Sequence, residues 1–309
     1  MKIVALAGGG GGAKLAGGLA QVLPPDDLTV VVNTGDDFAH LGLHISPDLD
    51  TVCYTLAGLS DPDTGWGQAG DTFHALENIR ILGGPYWFRI GDKDIATHLE
   101  RTLRLGEGQS LGQTTRDFCY AWGVRHSVLP MSDDPVRTFI DTVEFGELPF
   151  QEYFVHRRCE PKVKSFRYSG VQSASATPGV LEAIEAAGVI IIGPSNPWVS
   201  IDPILSVPGI LIALTDKCVV AVSPIIGGKT VKGPAAKMYS ELGIQPSALA
   251  IAKHYESMLA GFILDRVDAS FEDAIQQMGI TPYSTNTIMT TLDDRRRLAQ
   301  DVLDFILTL

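Results

Sequence analysis

The chain has 309 residues, with 24 Lys and Arg against 36 Asp and Glu and a formal net charge of −12 at pH 7. Its 45% hydrophobic and 19% charged residues supply enough apolar material for a sizeable core, which excludes a disordered chain. So acidic a balance also excludes a general nucleic-acid or anionic-membrane binder, since both partners demand basic patches. It leaves open a small phosphorylated ligand held by backbone amides and a metal ion.

The first element is the apolar run Ile3–Ala7, too short for a signal-peptide core, followed by Gly8-Gly9-Gly10-Gly11-Gly12-Ala13-Lys14. Leu15, Leu19, Val22 and Leu23 then keep helical spacing until Pro24-Pro25 stops them. A second run, Leu28–Val32, leads into Asn33-Thr34-Gly35-Asp36-Asp37. From about Asp50 to Arg125 the chain is more helical and polar, which predicts an insertion beside the main sheet. A helical pattern over Val180–Ala187 precedes a third run, Val189–Ile192, which ends in Gly193-Pro194-Ser195-Asn196-Pro197. The fourth run, Val219–Val222, ends in Ser223-Pro224-Ile225-Ile226-Gly227-Gly228-Lys229, and Ala248–Ile263 and Leu298–Leu307 are predicted helices. Short unalternating runs rich in Val and Ile read as strands buried on both faces. Their alternation with helices predicts an α/β fold: a Rossmann-like, doubly wound, mostly parallel sheet with helices on both faces. A single domain over 1–309 is expected, its core about 1–50 and 125–309 and its helical insertion about 50–125. No run approaches the roughly 18 apolar residues that span a bilayer. Cys53, Cys119, Cys159 and Cys218 are scattered without a C-x-x-C pair, which argues against a disulfide framework or structural zinc. A cytoplasmic protein is expected.

Ligands of open parallel sheets bind beyond the carboxyl ends of the strands, so the loops after the runs carry the chemistry. Glycines between a strand and a helix let backbone N–H groups approach a phosphate, and the helix dipole favours the charge. A tight turn with no ligand is the plainer alternative. The run is not a Walker A loop, because Leu15 rather than Ser or Thr follows Lys14. It meets the dinucleotide fingerprint only by force, as Gly8, Gly10 and Ala13, so a nicotinamide-dependent dehydrogenase has little support. In Ser46-Pro47-Asp48-Leu49-Asp50, helix capping accounts for Ser46 as N-cap, Pro47 at N1 and Asp48 in the first turn. It accounts poorly for Asp50, the first candidate for a role in a site. Asp92, Asp94 and His98 are explained as well by Asp94 capping a helix as by metal ligation, and Ser132-Asp133-Asp134-Pro135 by a solvated turn. No G-x-S-x-G elbow or Cys–His pair of recognisable spacing is present. Glycine- and Ser/Asn-rich loops, aspartates able to hold Mg²⁺, and the isolated cations Lys14, Arg89, Lys229 and Lys232 are ingredients of phosphoryl or nucleotidyl chemistry.

The strings V-V-V-N-T-G-D-D (30–37), I-S-P-D-L-D-T-V (45–52), G-W-G-Q (65–68), I-G-D-K-D-I-A-T-H-L (90–99), L-P-M-S-D-D-P-V (129–136), G-P-S-N-P (193–197) and S-P-I-I-G-G-K (223–229) occur in order with the glycine loop. Together they resemble the 2-phospho-L-lactate transferase family of coenzyme F-420 biosynthesis over essentially the whole chain. That resemblance implies transfer of a phospho-three-carbon acid from a guanosine-diphospho-activated donor to the terminal ribityl hydroxyl of the deazaflavin FO. GMP leaves, Mg²⁺ is required, and a homodimer is implied. Carried onto this chain, Asp50 and Arg89 contact FO. Gly8, Gly9, Gly10, Gly11, Gly12, Lys14, Asn33, Ser195 and Asn196 form the guanosine-diphosphate side. Mg²⁺ is expected among Asp36, Asp37, Asp50 and Asp71, with Asp50 orienting or deprotonating the attacking hydroxyl, and Asp50→Ala is expected to abolish turnover with the fold intact. The alternative is a nucleotide-sugar-binding regulator resembling gluconeogenesis factors, which share the glycine loop but not the P-D-L-D and G-D-K-D strings.

Overall fold

The computed structural model describes residues 1–309. Seven strands form the central sheet: β1 (Ile3–Ala7), β2 (Leu28–Val32), β3 (Ser127–Pro130), β4 (Val189–Ile192), β5 (Cys218–Val222), β6 (Gly261–Asp265) and β7 (Thr281–Thr285). Their spatial order is β7-β6-β5-β4-β1-β2-β3, and every pairing is parallel. The apolar runs are continuous because both faces are covered. Ile3, Ala5 and Ala7 enter one hydrophobic cluster, while Val4 and Leu6 enter the other. Such a strand has no solvated side on which a polar residue could alternate.

Helix α1 (Gly9–Val22) follows β1 and packs between α2 (Pro47–Leu56) and the C-terminal helix Leu292–Ile306. Within the polar stretch lie α3 (His74–Ile81), α4 (Asp92–Gly106) and α5 (Leu111–Ala121). The chain runs outward from β1 to β2 and β3, then returns to place β4 on the other side of β1. The strand order therefore reverses between β1 and β4, and the glycine loop and the 193–197 loop face each other there. This is the position where open α/β sheets bind ligands.

Three features depart from the sequence expectation. The predicted helix Ala248–Ile263 stops at His254, and its apolar tail belongs to β6, paired with β5 and β7. Strands β3 and β7 lie at the sheet edges and lack long Val/Ile runs. Between β3 and β4 the chain forms an antiparallel sheet of Arg137–Thr142, Gly146–Pro149 and Val163–Ser169, whose half-buried strands give a weak apolar signal. No helix is long and apolar enough to cross a membrane.

Candidate active site

The glycine loop is packed tightly against its neighbours in the fold. Ser195 Oγ accepts from Gly8 N–H (3.2 Å) and donates to Gly8 C=O (2.8 Å). A Cβ on Gly12 would stand 2.5 Å from Ser195 Oγ, and one on Gly11 would stand 2.2 Å from the Pro194 carbonyl oxygen. Both glycines are thus required by packing. Gly9 has φ +61°, in the left-handed region, and Gly8 lies beside Asp48, whose Oδ2 would be 2.6 Å from an added Cβ. Gly10 has room, with only the Gly65 carbonyl at 3.8 Å.

Asn33, fully buried, cross-braces this loop. Its Nδ2 donates to Asp48 Oδ2 (2.9 Å) and to the Val199 carbonyl (3.0 Å), and its Oδ1 accepts from Gly35 N–H (2.8 Å). Asn196 Oδ1 accepts from Trp198 N–H (3.1 Å) and starts the helical turn after its loop. Asn33, Ser195 and Asn196 therefore shape the expected nucleotide side through bonds within the protein. Lys14 donates to the Met289 carbonyl (2.8 Å), which ties α1 to the segment before the C-terminal helix.

Three carboxylates crowd behind the loop. Ser46, expected as a helix cap, makes no capping bond; its hydroxyl donates to Asp37 Oδ2 (2.8 Å), as does His44 Nε2 when protonated (3.0 Å). Asp48, also explained by capping from sequence, instead faces Asn33 and the glycine loop. Burial pushes the Asp48 carboxyl up to about 6, against hydrogen bonds from Asn33 and Gly9 and with the charge of Asp37 adding to the rise. Burial, then the charge of Asp48, raise Asp36 well above the ordinary carboxylate range. One oxygen each of Asp36 and Asp37 is buried without a partner. Acids pressed together in a dry site with unfilled oxygens fit a divalent cation.

The four aspartates expected to hold metal do not converge, and no three Asp, Glu, His or Cys side chains gather as a ligand set. Asp50 lies elsewhere on α2: both its oxygens accept from the Arg101 guanidinium, Nη1 at 3.0 Å to Oδ2 and Nη2 to Oδ1. Asp71 accepts from Thr72 N–H and Lys93 N–H (both 2.8 Å) and from Asp94 N–H (3.3 Å), which satisfies the start of α4. Gly91 permits this approach, because a Cβ there would meet Asp71 Oδ2 at 2.1 Å. Asp92 serves the start of α3 in the same way, accepting from His74 N–H (3.1 Å) and Ala75 N–H (3.0 Å). Mg²⁺ commonly takes one or two carboxylates plus substrate phosphates and water, so the buried pair Asp36 and Asp48 fits it without a full protein cage.

Beyond Asp50 lies a cleft of about 200 Å³ lined by Thr64, Trp66, Phe73, Arg89, Asp71 and Asp94. The Arg89 guanidinium sits 4.3 Å from the centre of the Phe73 ring. The cap of α4 is Gly91, not Asp94; the Asp94 side chain is buried at the cleft with Oδ1 unpartnered. Burial, then the charges of Asp50 and Asp71, push its carboxyl up to about 7. Burial lowers His98 to about 4, so the imidazole beside Asp50 and Arg101 is neutral near pH 7. Asp94 and Asp48 are the residues that sequence reasoning passed over, because their short helical contexts already had a capping explanation.

A family model for the 2-phospho-L-lactate transferase CofD matches residues 3–302 of this chain. The chain belongs to the 2-phospho-L-lactate transferase CofD family. Membership makes it a transferase of coenzyme F-420 biosynthesis, acting on small-molecule substrates. It is 42% identical over 311 residues to a phosphoenolpyruvate transferase of Streptomyces griseus, covering 98% of each chain. It is also 42% identical over 301 residues to a 2-phospho-L-lactate transferase of Methanosarcina mazei, covering 97% of this chain and 99% of that one. Among solved structures, a UPF0052-family protein from Bacillus halodurans superposes with a TM-score of 0.64 at 16% identity, covering 98% of both chains. That likeness establishes the shared fold alone. The CofD-family chain thus carries its glycine loop, buried acids and Arg89 cleft around one sheet switch point.

Proposed function

We propose that this transferase moves a phospho-three-carbon-acid group from a guanosine-diphospho-activated donor to the terminal ribityl hydroxyl of FO, releasing GMP. The observation that carries the reading is the juxtaposition of two unlike sites: an anion-type loop at the N-terminus of α1 and an aromatic, Arg-bearing cleft across Thr64–Trp66. The backbone N–H of Gly10, at the open N-terminus of α1, is suited to bind the donor diphosphate and to meet charge developing on the leaving GMP. Those of Gly8 and Gly9 are held by Ser195 and Asp48. Asn33 and Ser195 keep that loop in shape. Arg89, backed by Phe73, is suited to hold FO. Asp50, fixed by Arg101, stands beside Asp94 and helps to raise its carboxyl. Asp94 is the better-placed acceptor for the proton of the attacking hydroxyl, since it lines the cleft with one oxygen unpartnered and both oxygens of Asp50 are occupied. Asp36 and Asp48, with Asp37 beside them, would hold Mg²⁺, which when bound neutralises the diphosphate charge.

The three-carbon acid does not follow from overall similarity, because relatives named for phosphoenolpyruvate and for 2-phospho-L-lactate are equally 42% identical. Mixing FO, Mg²⁺ and each of the lactyl, enolpyruvyl and glyceryl diphosphoguanosines, then weighing products by mass spectrometry, tests donor and acceptor together. The expected result is FO carrying one phospho-acid group, with GMP released in equal amount. No product from any donor, with no FO fluorescence change on titration but clear nucleotide-sugar binding, would favour the regulator reading instead.

A further inference from the structure

The acidic molecule holds three cations in a row on one face of α1. Gly10, Lys14 and Gly18 recur every four residues, so they share a face and span about 12 Å along the helix. Over Gly10 lies Gly65, and a Cβ on Gly65 would stand 3.1 Å from Lys232 Nζ, which donates to the Thr64 carbonyl (2.9 Å). Over Gly18 lies the backbone of Arg295, whose carbonyl oxygen would be 2.2 Å from an added Cβ. Lys14 stands between them, half-buried. None of the three makes an ion pair, although the chain has 36 acids, and Arg295 Nε is buried without any partner. Burial lowers the Lys14 ammonium below its ordinary range, and the neighbouring charges of Arg295 and Lys232 lower it further. Asp61 is the acid whose field Lys232 reaches, and its Oδ1 already accepts from Asp63 N–H (2.8 Å) and Thr64 N–H (3.4 Å). Like charges held together without counter-ions oppose folding, and a bound anion reverses that sign.

We propose that Lys14, Lys232 and Arg295 form the seat for the carboxylate of the donor's three-carbon acid. This rests on the transferase reading above. The diphosphate already has candidate partners on the other side of the loop, where Gly8 and Gly9 lie beside Asp48. The cations begin at Gly10, and the Thr64–Gly65 segment that Lys232 holds also borders the acceptor cleft. A group linking diphosphate to acceptor would pass between them with its carboxylate toward this row. Lactyl, enolpyruvyl and glyceryl donors all carry that carboxylate, so the seat recognises the acid class. Lys14 keeps two ammonium protons free after its bond to Met289.

The test measures binding of lactyl-diphosphoguanosine and of GDP, which lacks the acid, by calorimetry with wild type, Lys232→Met, Arg295→Met and Lys14→Met. Charge-assisted contacts predict about a tenfold or greater loss of donor affinity in each variant, with GDP affinity changed by less than about twofold. Lys232 is exposed and supports no core contact, so Lys232→Met keeps the test valid should Lys14→Met fold poorly. Unchanged donor affinity in Lys232→Met and Arg295→Met overturns the proposal. Equal losses for donor and GDP overturn it too, because the row then grips the diphosphate. Wild-type protein that binds neither donor nor FO sinks the transferase reading itself, and the seat with it.

Discussion

Asp50 and Arg101 show how much a single residue's role depends on its partner. Arg101 is 2% exposed and Asp50 6% exposed, so each charge is tolerable only because the other is there. Arg101→Met should lower the unfolding free energy by roughly 3–5 kcal/mol in urea titrations, through the uncompensated Asp50 charge. Asp50→Ala should cost stability on a similar scale by stranding Arg101. The sequence expectation that this variant keeps its fold intact is therefore corrected by the pairing; loss of turnover must be read beside an unfolding curve. The double variant Asp50→Asn, Arg101→Met should recover part of the lost stability, since no buried charge remains. Asp94 carries a different signature. Its folded-state carboxyl titrates near 7 against about 4 in an unfolded chain, so the folded protein binds the extra proton between those values. Stability then falls as pH rises from about 4 to 7 and keeps that penalty above 7. Asp94→Asn should be more stable than wild type at pH 8 in thermal melts, with the difference shrinking to nothing near pH 4. A constant difference across that range would mean that Asp94 titrates normally. The residue types at 48, 50 and 94 are legible in the sequence, but which is paired, braced or free is set by partners 15 to 51 positions away.

At the scale of elements, the glycine loop was the plainest sequence signal and proved to serve two purposes. Gly11 admits the Pro194 backbone and Gly12 the Ser195 hydroxyl, whereas Gly10 is open. Gly11→Ala should displace the 193–197 loop and lower the melting temperature. Gly10→Ala should leave the melt unchanged or slightly raised, since Ala favours helix by about 0.5–1 kcal/mol, while weakening donor binding. Equal thermal losses for both variants would remove the distinction. Strands β1 and β4 are readable because each is a pure apolar run buried on both faces, and β2 because only Thr29 interrupts its run. The error at Ala248–Ile263 has the same physical origin: a short apolar segment fits a buried strand and a buried helix equally well. Only pairing with β5 and β7 assigns Gly261–Asp265 to the sheet.

For the whole molecule, the net charge of −12 divides into acids with distinct duties. Asp71 and Asp92 satisfy helix starts, Asp133 accepts from Gly112 N–H at 2.7 Å, and Asp50 neutralises Arg101. The group at Asp36, Asp37 and Asp48 is held by hydrogen bonds from Asn33, Ser46 and His44, and one oxygen each of Asp36 and Asp37 stays unfilled. Mg²⁺ should therefore raise the melting temperature of wild type, and Asp48→Asn should blunt that rise. Removing divalent cation with a chelator should abolish turnover without unfolding the chain, because the two hydrophobic clusters are built from apolar side chains alone. An unfolded chelated protein would make the cation structural.

The sequence by itself determined the α/β class, the loops that follow the central strands, and the family, because continuous apolar runs and ordered strings are local properties of the chain. Tertiary structure decided which aspartates are buffered by partners, which glycines serve packing, and that three cations far apart in sequence share one face of α1. Those facts depend on distances and burial between remote segments, and no local pattern encodes them.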